Sequence, residues 1–322
     1  MTYASSPPSS SGAVTRADII DARARIAKDV RHTPLMRIEG KQFGLDGAEL
    51  WLKLEQLQVG GSFKARGMFN RMRSNPVPEA GVVIASGGNA GIAVAVAAQA
   101  LGVRCEVFVP EAASQAKRDK LVELGAVLTV TGAGYADALA ASLARQAQTG
   151  ALLMHAYDQR EVVIGAGTLA AEVEDDAGVP DRVLVSVGGG GLIAGIAAWF
   201  ENRCVIDALE PELAPTLFRA REAGAPIDVA VSGLAADSLG ARRIGAIAWE
   251  LTQRHVRTAH LLADTAIRAA QLAMWQKLRL AVEPAAALPL AALMSGAVVP
   301  RQDERVLLVI CGANVDLASL AA

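Results

Sequence analysis

Apolar residues recur along this chain in two rhythms. Ile19, Ala22, Ile26 and Val30 keep helical spacing after Thr15-Arg16-Ala17-Asp18, which matches a capping box, until His32-Thr33-Pro34 stops the run. Elsewhere the apolar residues come in short unbroken runs. Leu50 to Leu54, Gly81 to Ala85, Cys105 to Val109, Val127 to Val130, Val183 to Val187, Cys204 to Leu209 and Val306 to Ile310 predict strands, and alanine-rich helical stretches separate most of them. Strands with no polar alternation are covered on both faces, so the pattern predicts an α/β protein with two parallel-sheet units and ligands at the carboxyl ends of the strands. No repeat and no long linker marks a boundary, so a second domain is expected as an insertion that the chain enters and leaves.

Composition narrows the ligands. With 322 residues, 52% of them apolar, the chain can build two cores, and 31 basic against 33 acidic residues give a net charge of −2. That balance favours a small-molecule partner over nucleic acid or an anionic membrane. Cys105, Cys204 and Cys311 are odd in number and form no metal pattern, which suits a reducing cytoplasm. No apolar run reaches the roughly 18 residues of a membrane helix, and the proline- and serine-rich opening, 1–12, is expected to be a disordered tail.

Three glycine-rich segments each open a helix. In Gly60-Gly61-Ser62-Phe63-Lys64 a lysine stands at the helix start behind an expected serine cap. That end of a helix disfavours an ammonium group, and burial beside Phe63 lowers its pKa further, leaving a neutral amine able to attack a carbonyl. In Ser86-Gly87-Gly88-Asn89-Ala90-Gly91 a strand turns into a helix whose free N–H groups suit a carboxylate. In Gly188-Gly189-Gly190-Gly191-Leu192 four glycines let the backbone close on a phosphate. Gly189, Gly191 and Ala194 also fit the dinucleotide pattern GxGxxA, with Glu210 about 20 residues on, so nicotinamide chemistry competes here. An amino-acid sensor without catalysis is a third reading. A lysine with a phosphate cradle and a carboxylate cradle is what pyridoxal phosphate requires, and a nicotinamide enzyme has no need of the lysine.

The segments LKLEQLQVGGSFKARG, SGGNAG, GGGGLIAG, VEPAAA and CGANVD occur in the order seen in fold-type-II pyridoxal-phosphate enzymes. From about His32 to Asp316 the chain resembles the serine/threonine dehydratases of that group. The resemblance implies a tryptophan synthase beta-subunit-like fold in which Lys64 carries the cofactor and acts as general base. Phe63 would lie beside the ring, Asn89 on its hydroxyl, Glu283 near it, Cys311 at its pyridine nitrogen and Gly233 along the pocket wall. Gly188, Gly189, Gly190, Gly191 and Leu192 would bind the phosphate, and Ser86, Gly87, Asn89 and Ala90 the substrate carboxylate.

The implied reaction removes water from L-threonine or L-serine and yields a 2-oxo acid and ammonia. Dehydration of 3-hydroxyaspartate and serine racemisation are the alternatives within the family. Related racemases place a serine where this chain has Gly87, which favours elimination. Some relatives bind a divalent cation through an acidic pair; here Glu210 is followed by Thr216 at the second position, so no metal is assigned and Glu210 is read as a structural carboxylate. Tyr157 stands where an asparagine is usual. Arg242 and Arg243 could meet a second substrate carboxylate, although surface roles are expected of them. The expected organisation is a large cofactor-binding domain, 13–67 and 156–322, and a small mobile domain, 68–155, in a cytoplasmic homodimer.

Overall fold

The protein is described by a computed structural model over residues 12–320; apart from Gly12, the expected tail lies outside the described residues. The first segment contains α1 (Arg16–Ile26), β1 (Leu35–Glu39), β2 (Glu49–Lys53) and α2 (Lys64–Ser74). It continues with β3 (Val82–Ala85), α3 (Asn89–Leu101), β4 (Cys105–Val109), α4 (Gln115–Glu123), β5 (Val127–Val130), α5 (Tyr135–Thr149) and β6 (Leu152–Leu153). There follow α6 (Arg160–Ala177), β7 (Arg182–Ser186), α7 (Gly191–Phe200), β8 (Val205–Pro211) and α8 (Thr216–Ala223). The last segment holds α9 (Ala246–His255), β9 (Thr258–Leu262), α10 (Asp264–Ala273), α11 (Pro284–Met294) and β10 (Arg305–Val309).

These strands form two sheets. One has six strands in the order β1-β2-β10-β7-β8-β9, parallel except where β1 runs antiparallel to β2. The other has four parallel strands in the order β5-β4-β3-β6. The capping box at α1 is formed, with Thr15 N donating to Asp18 Oδ2 at 2.9 Å. The helix ends at Ile26, before Val30, and residues 27–29 turn. Three strands escape the apolar pattern. β1 and β9 are edge strands only partly buried, and β6 has two residues, so none makes a continuous apolar run. Among the described residues no helix is long and apolar enough to cross a membrane.

The two sheets meet across α2, α3 and α6. Beneath α2 lies a buried charge cluster from β2, the turn after it and α6. Arg66 donates from Nε to Glu55 Oε2 at 2.7 Å, from Nη2 to Glu55 Oε1 at 2.8 Å, and from Nη1 to Glu172 Oε1 at 2.6 Å. Lys53 Nζ donates to Glu172 Oε2 at 2.6 Å and to the Thr33 carbonyl at 2.7 Å. Burying each ion costs several kcal/mol, and two cations on two carboxylates in fork geometry offset that cost. The cluster thus ties the start of α2 to both β2 and α6.

Candidate active site

Gly60 and Gly61 take φ of +70° and +75°, a backbone that L side chains avoid, and they turn the chain into an extended Ser62. Ser62 pairs with Gly312, and Phe63 N donates to the Cys311 carbonyl at 3.1 Å. The expected serine cap is not formed. Phe63 takes the cap position without a side-chain hydrogen bond, and the buried Ser62 Oγ makes none either. Lys64 is therefore the first residue of α2. Its Nζ donates to the Ala156 carbonyl at 2.7 Å and lies 5.0 Å from the centre of the Phe63 ring. Burial lowers its pKa to about 8, against the opposing pull of Cys311 and Glu283.

Ala156 leads directly to the glycine run. The Tyr157 ring lies where a Cβ at Gly189 would be, 2.3 Å from that position, and Gly190 has φ of +88° with Ala248 Cβ 2.4 Å from its own missing Cβ. These approaches admit only glycine. Gly188 to Leu192 are all buried, and α7 starts at Gly191 with no side-chain cap. A buried helix start whose N–H groups have no cap is a site for an anion.

The third segment adjoins the first, through Asn314, which donates to both the Gly60 carbonyl and Asn89. α3 starts at Asn89, again without a side-chain cap, and Ser86 to Asn89 remain half-buried. Asn89 Nδ2 donates to Glu283 Oε1 at 2.9 Å and to Oε2 at 2.8 Å, while Asn89 Oδ1 accepts from Asn314 Nδ2 at 2.7 Å. Burial pushes the Glu283 pKa up to about 7, although the Asn89 bond and the Lys64 charge pull the other way. Cys311 Sγ is buried 3.9 Å from Glu283 Oε1, and burial raises its pKa well above the usual thiol value. The structure thus brings Lys64, Phe63, Asn89, Glu283 and Cys311 to one place, linked through 156–157 to Gly188–Leu192.

Other expectations fall elsewhere. Gly233 lies in an exposed turn against Leu213 and Asp264, and the residue packed on Gly188 is Leu239. Glu210 is buried and accepts from Leu217 N and Phe218 N, both at 2.7 Å, so its carboxylate caps α8. That use of both oxygens also removes it as a ribose ligand in the nicotinamide reading. Arg242 Nε donates to the Val229 carbonyl at 3.3 Å and Arg243 Nη1 to Asp228 Oδ1 at 3.0 Å, both on the exterior. His155 is half-buried beside Tyr157; its Nδ1 accepts from Asp158 N at 2.9 Å, and desolvation lowers its pKa to about 4. Asn314 was hidden inside the CGANVD segment, and nothing in the sequence pointed to Leu239 or to Lys117, whose ammonium reaches Asp237.

The donor set fits pyridoxal phosphate. An uncapped, buried helix start can hold a phosphate, an amine of lowered pKa can form a covalent link to an aldehyde, and a protonated thiol stands beside a polar pair.

The comparisons agree with that fit. A family model described as "pyridoxal-phosphate dependent enzyme" matches residues 26–312. An L-threonine ammonia-lyase of Geobacter sulfurreducens is 33% identical over 94% of this chain and 76% of its own. A beta-hydroxyaspartate dehydratase of Paracoccus denitrificans is 32% identical over 95% of this chain and 98% of its own. The solved structure of maize serine racemase superposes with a TM-score of 0.90 at 30% identity, covering 96% of both chains.

Proposed function

Since the chain belongs to the family of pyridoxal-phosphate dependent enzymes, we propose that it is an ammonia-lyase that removes water from L-serine or L-threonine and releases a 2-oxo acid and ammonia. The observation that carries this reading is Lys64, a half-buried residue whose amine has its pKa lowered to about 8 and is joined through residues 156–157 to the uncapped glycine turn. Gly188 to Leu192 would hold the cofactor phosphate, Lys64 would bind the cofactor covalently, and Phe63, Asn89, Glu283 and Cys311 would surround its ring. When bound, pyridoxal phosphate withdraws electrons from the substrate α-carbon and so weakens the α-C–H bond.

The chain's own groups do the rest. The turn from Ser86 to Ala90 orients the substrate carboxylate on the start of α3. Lys64 Nζ then takes the α-proton, for which a pKa near the working pH suits a general base. Cys311 keeps its proton and would offer no negative charge to the cofactor ring, a setting that favours rapid loss of the β-hydroxyl. Gly87 supplies no second proton carrier, and a Cβ there would stand 3.3 Å from Val109 Cγ1, so elimination outranks racemisation. Closure of the body from 68 to 155 onto the rest would complete the carboxylate site and exclude water.

The test is 2-oxo acid and ammonia release from L-serine and L-threonine by the cofactor-loaded protein, with Lys64→Ala alongside. Steady release from either substrate, reduced about a thousandfold or more in Lys64→Ala, is expected. Yellow protein inert on both, or full turnover without the lysine, would sink the reading.

A further inference from the structure

Arg242 and Arg243, the cations the sequence offers for a second substrate carboxylate, are engaged by Val229 and Asp228 on the exterior. A cation that pairs with the segment packed on the carboxylate turn is Lys117, on α4. Its Nζ lies 3.0 Å from Asp237 Oδ1, so the pair spans from the four-stranded body to the segment that carries Leu239. The pair sits over the carboxylate turn. A Cβ at Gly88 would be 3.5 Å from the Asp237 carbonyl oxygen, and one at Gly87 would be 3.7 Å from Ala113 Cβ, in the turn that leads into α4 and Lys117. The Lys117 charge also reaches inward, where it is among those that favour an ionised Glu283.

The two partners differ in hydration. The Asp237 side chain is 86% exposed and that of Lys117 only 32%. An ion pair with one partner so fully in water contributes little, so a ligand anion can replace Asp237 at little cost. A carboxylate already anchored on the turn below would meet the less hydrated ammonium with a charge-assisted hydrogen bond. A substrate with a single carboxylate leaves the pair as it is.

We propose that Lys117 is a specificity-determining residue that exchanges Asp237 for the second carboxylate of a β-hydroxy dicarboxylic amino acid, making 3-hydroxyaspartate a better substrate than serine or threonine. This rests on the reading of the Ser86–Ala90 turn as the α-carboxylate site. Lys117 makes and breaks no covalent bond. The balance is that of the proposed lyase reaction: the β-hydroxyl leaves as water, and hydrolysis of the enamine gives ammonia and, from 3-hydroxyaspartate, oxaloacetate.

The experiment compares the cofactor-loaded wild type with Lys117→Met, Lys117→Arg and Asp237→Asn in two measurements. Calorimetry gives the Kd of succinate, an unreactive dicarboxylate, and kinetics give kcat/KM for L-serine, L-threonine and both 3-hydroxyaspartate diastereomers. Lys117→Met is expected to weaken succinate and lower kcat/KM for 3-hydroxyaspartate about tenfold or more, with serine within about threefold and Lys117→Arg retaining most of the preference. Absence of succinate binding by the wild type, or equal affinity in Lys117→Met, overturns the proposal. So does an equal loss on serine and 3-hydroxyaspartate in both Lys117→Met and Asp237→Asn, which would make the pair a latch between the bodies. Lys117-dependent succinate binding without turnover of any substrate would retain Lys117 as the dicarboxylate ligand and overturn the lyase reading instead.

Discussion

Lys64 and Arg66 stand two residues apart at the start of α2, and the fold treats their charges in opposite ways. Arg66 is fully buried and bonded to two carboxylates, and its pKa is pushed further up. Lys64 has one neutral carbonyl as its hydrogen-bond partner, and burial brings its pKa down to about 8. One helix start therefore carries a permanent cation that fastens it and an amine whose proton is easily lost. The difference teaches that burial alone does not set the state of a cation; the number and charge of its partners do.

Breaking the paired side should have the largest effect. Arg66→Met leaves Glu55 without its cation and Glu172 with Lys53 alone, and urea unfolding is expected to show a loss of about 3–5 kcal/mol. A loss below about 1 kcal/mol would mean that the cluster does not fasten α2.

Removing the unpaired side should do the reverse. Lys64→Met is expected to stabilise the cofactor-free protein by about 1–3 kcal/mol near pH 7. The sign follows from the lowered pKa: between pH 8 and 10.5 the unfolded chain binds more protons than the folded one, so wild-type stability rises with pH across that window. The advantage of the variant should be full below pH 8 and fade toward 10.5, as read by unfolding at several pH values.

A smaller change sharpens the comparison. Glu283 is one of two groups that hold the Lys64 pKa up, so Glu283→Gln should lower it further. The rate of covalent cofactor attachment to the free protein should then reach its half-maximum at a pH lower by ~0.5. An unchanged profile would show that Glu283 is neutral at that pH.

Much of this was legible in the residues. The central strands are continuous apolar runs because helices cover both faces, and the three glycine starts coincide with α2, α3 and α7. What escaped the reading depends on long-range pairing. Ser62 resembles a cap in sequence, yet its partner is Gly312, far along the chain. The resemblance puts Gly233 on the pocket wall, but the turn that follows carries Leu239 to Gly188 instead. Glu210 is read from the sequence as a structural carboxylate, but what it supports, the N–H groups at the start of α8, emerges only in the fold. Lys117 lies on a largely polar helix with one buried residue, Leu121, and only the meeting of two bodies gives it Asp237.

The position of β10 bears on how the protein comes to be made. It is the last strand in sequence, yet it lies inside the large sheet between β2 and β7. The residues that leave it clasp the Lys64 segment: Ile310 accepts from Gln56 N, Cys311 from Phe63 N, and Asn314 donates to the Gly60 carbonyl. A growing chain emerges with its lysine long before these residues exist. The clasp on the Lys64 segment therefore forms only after β10 and the residues behind it have been made.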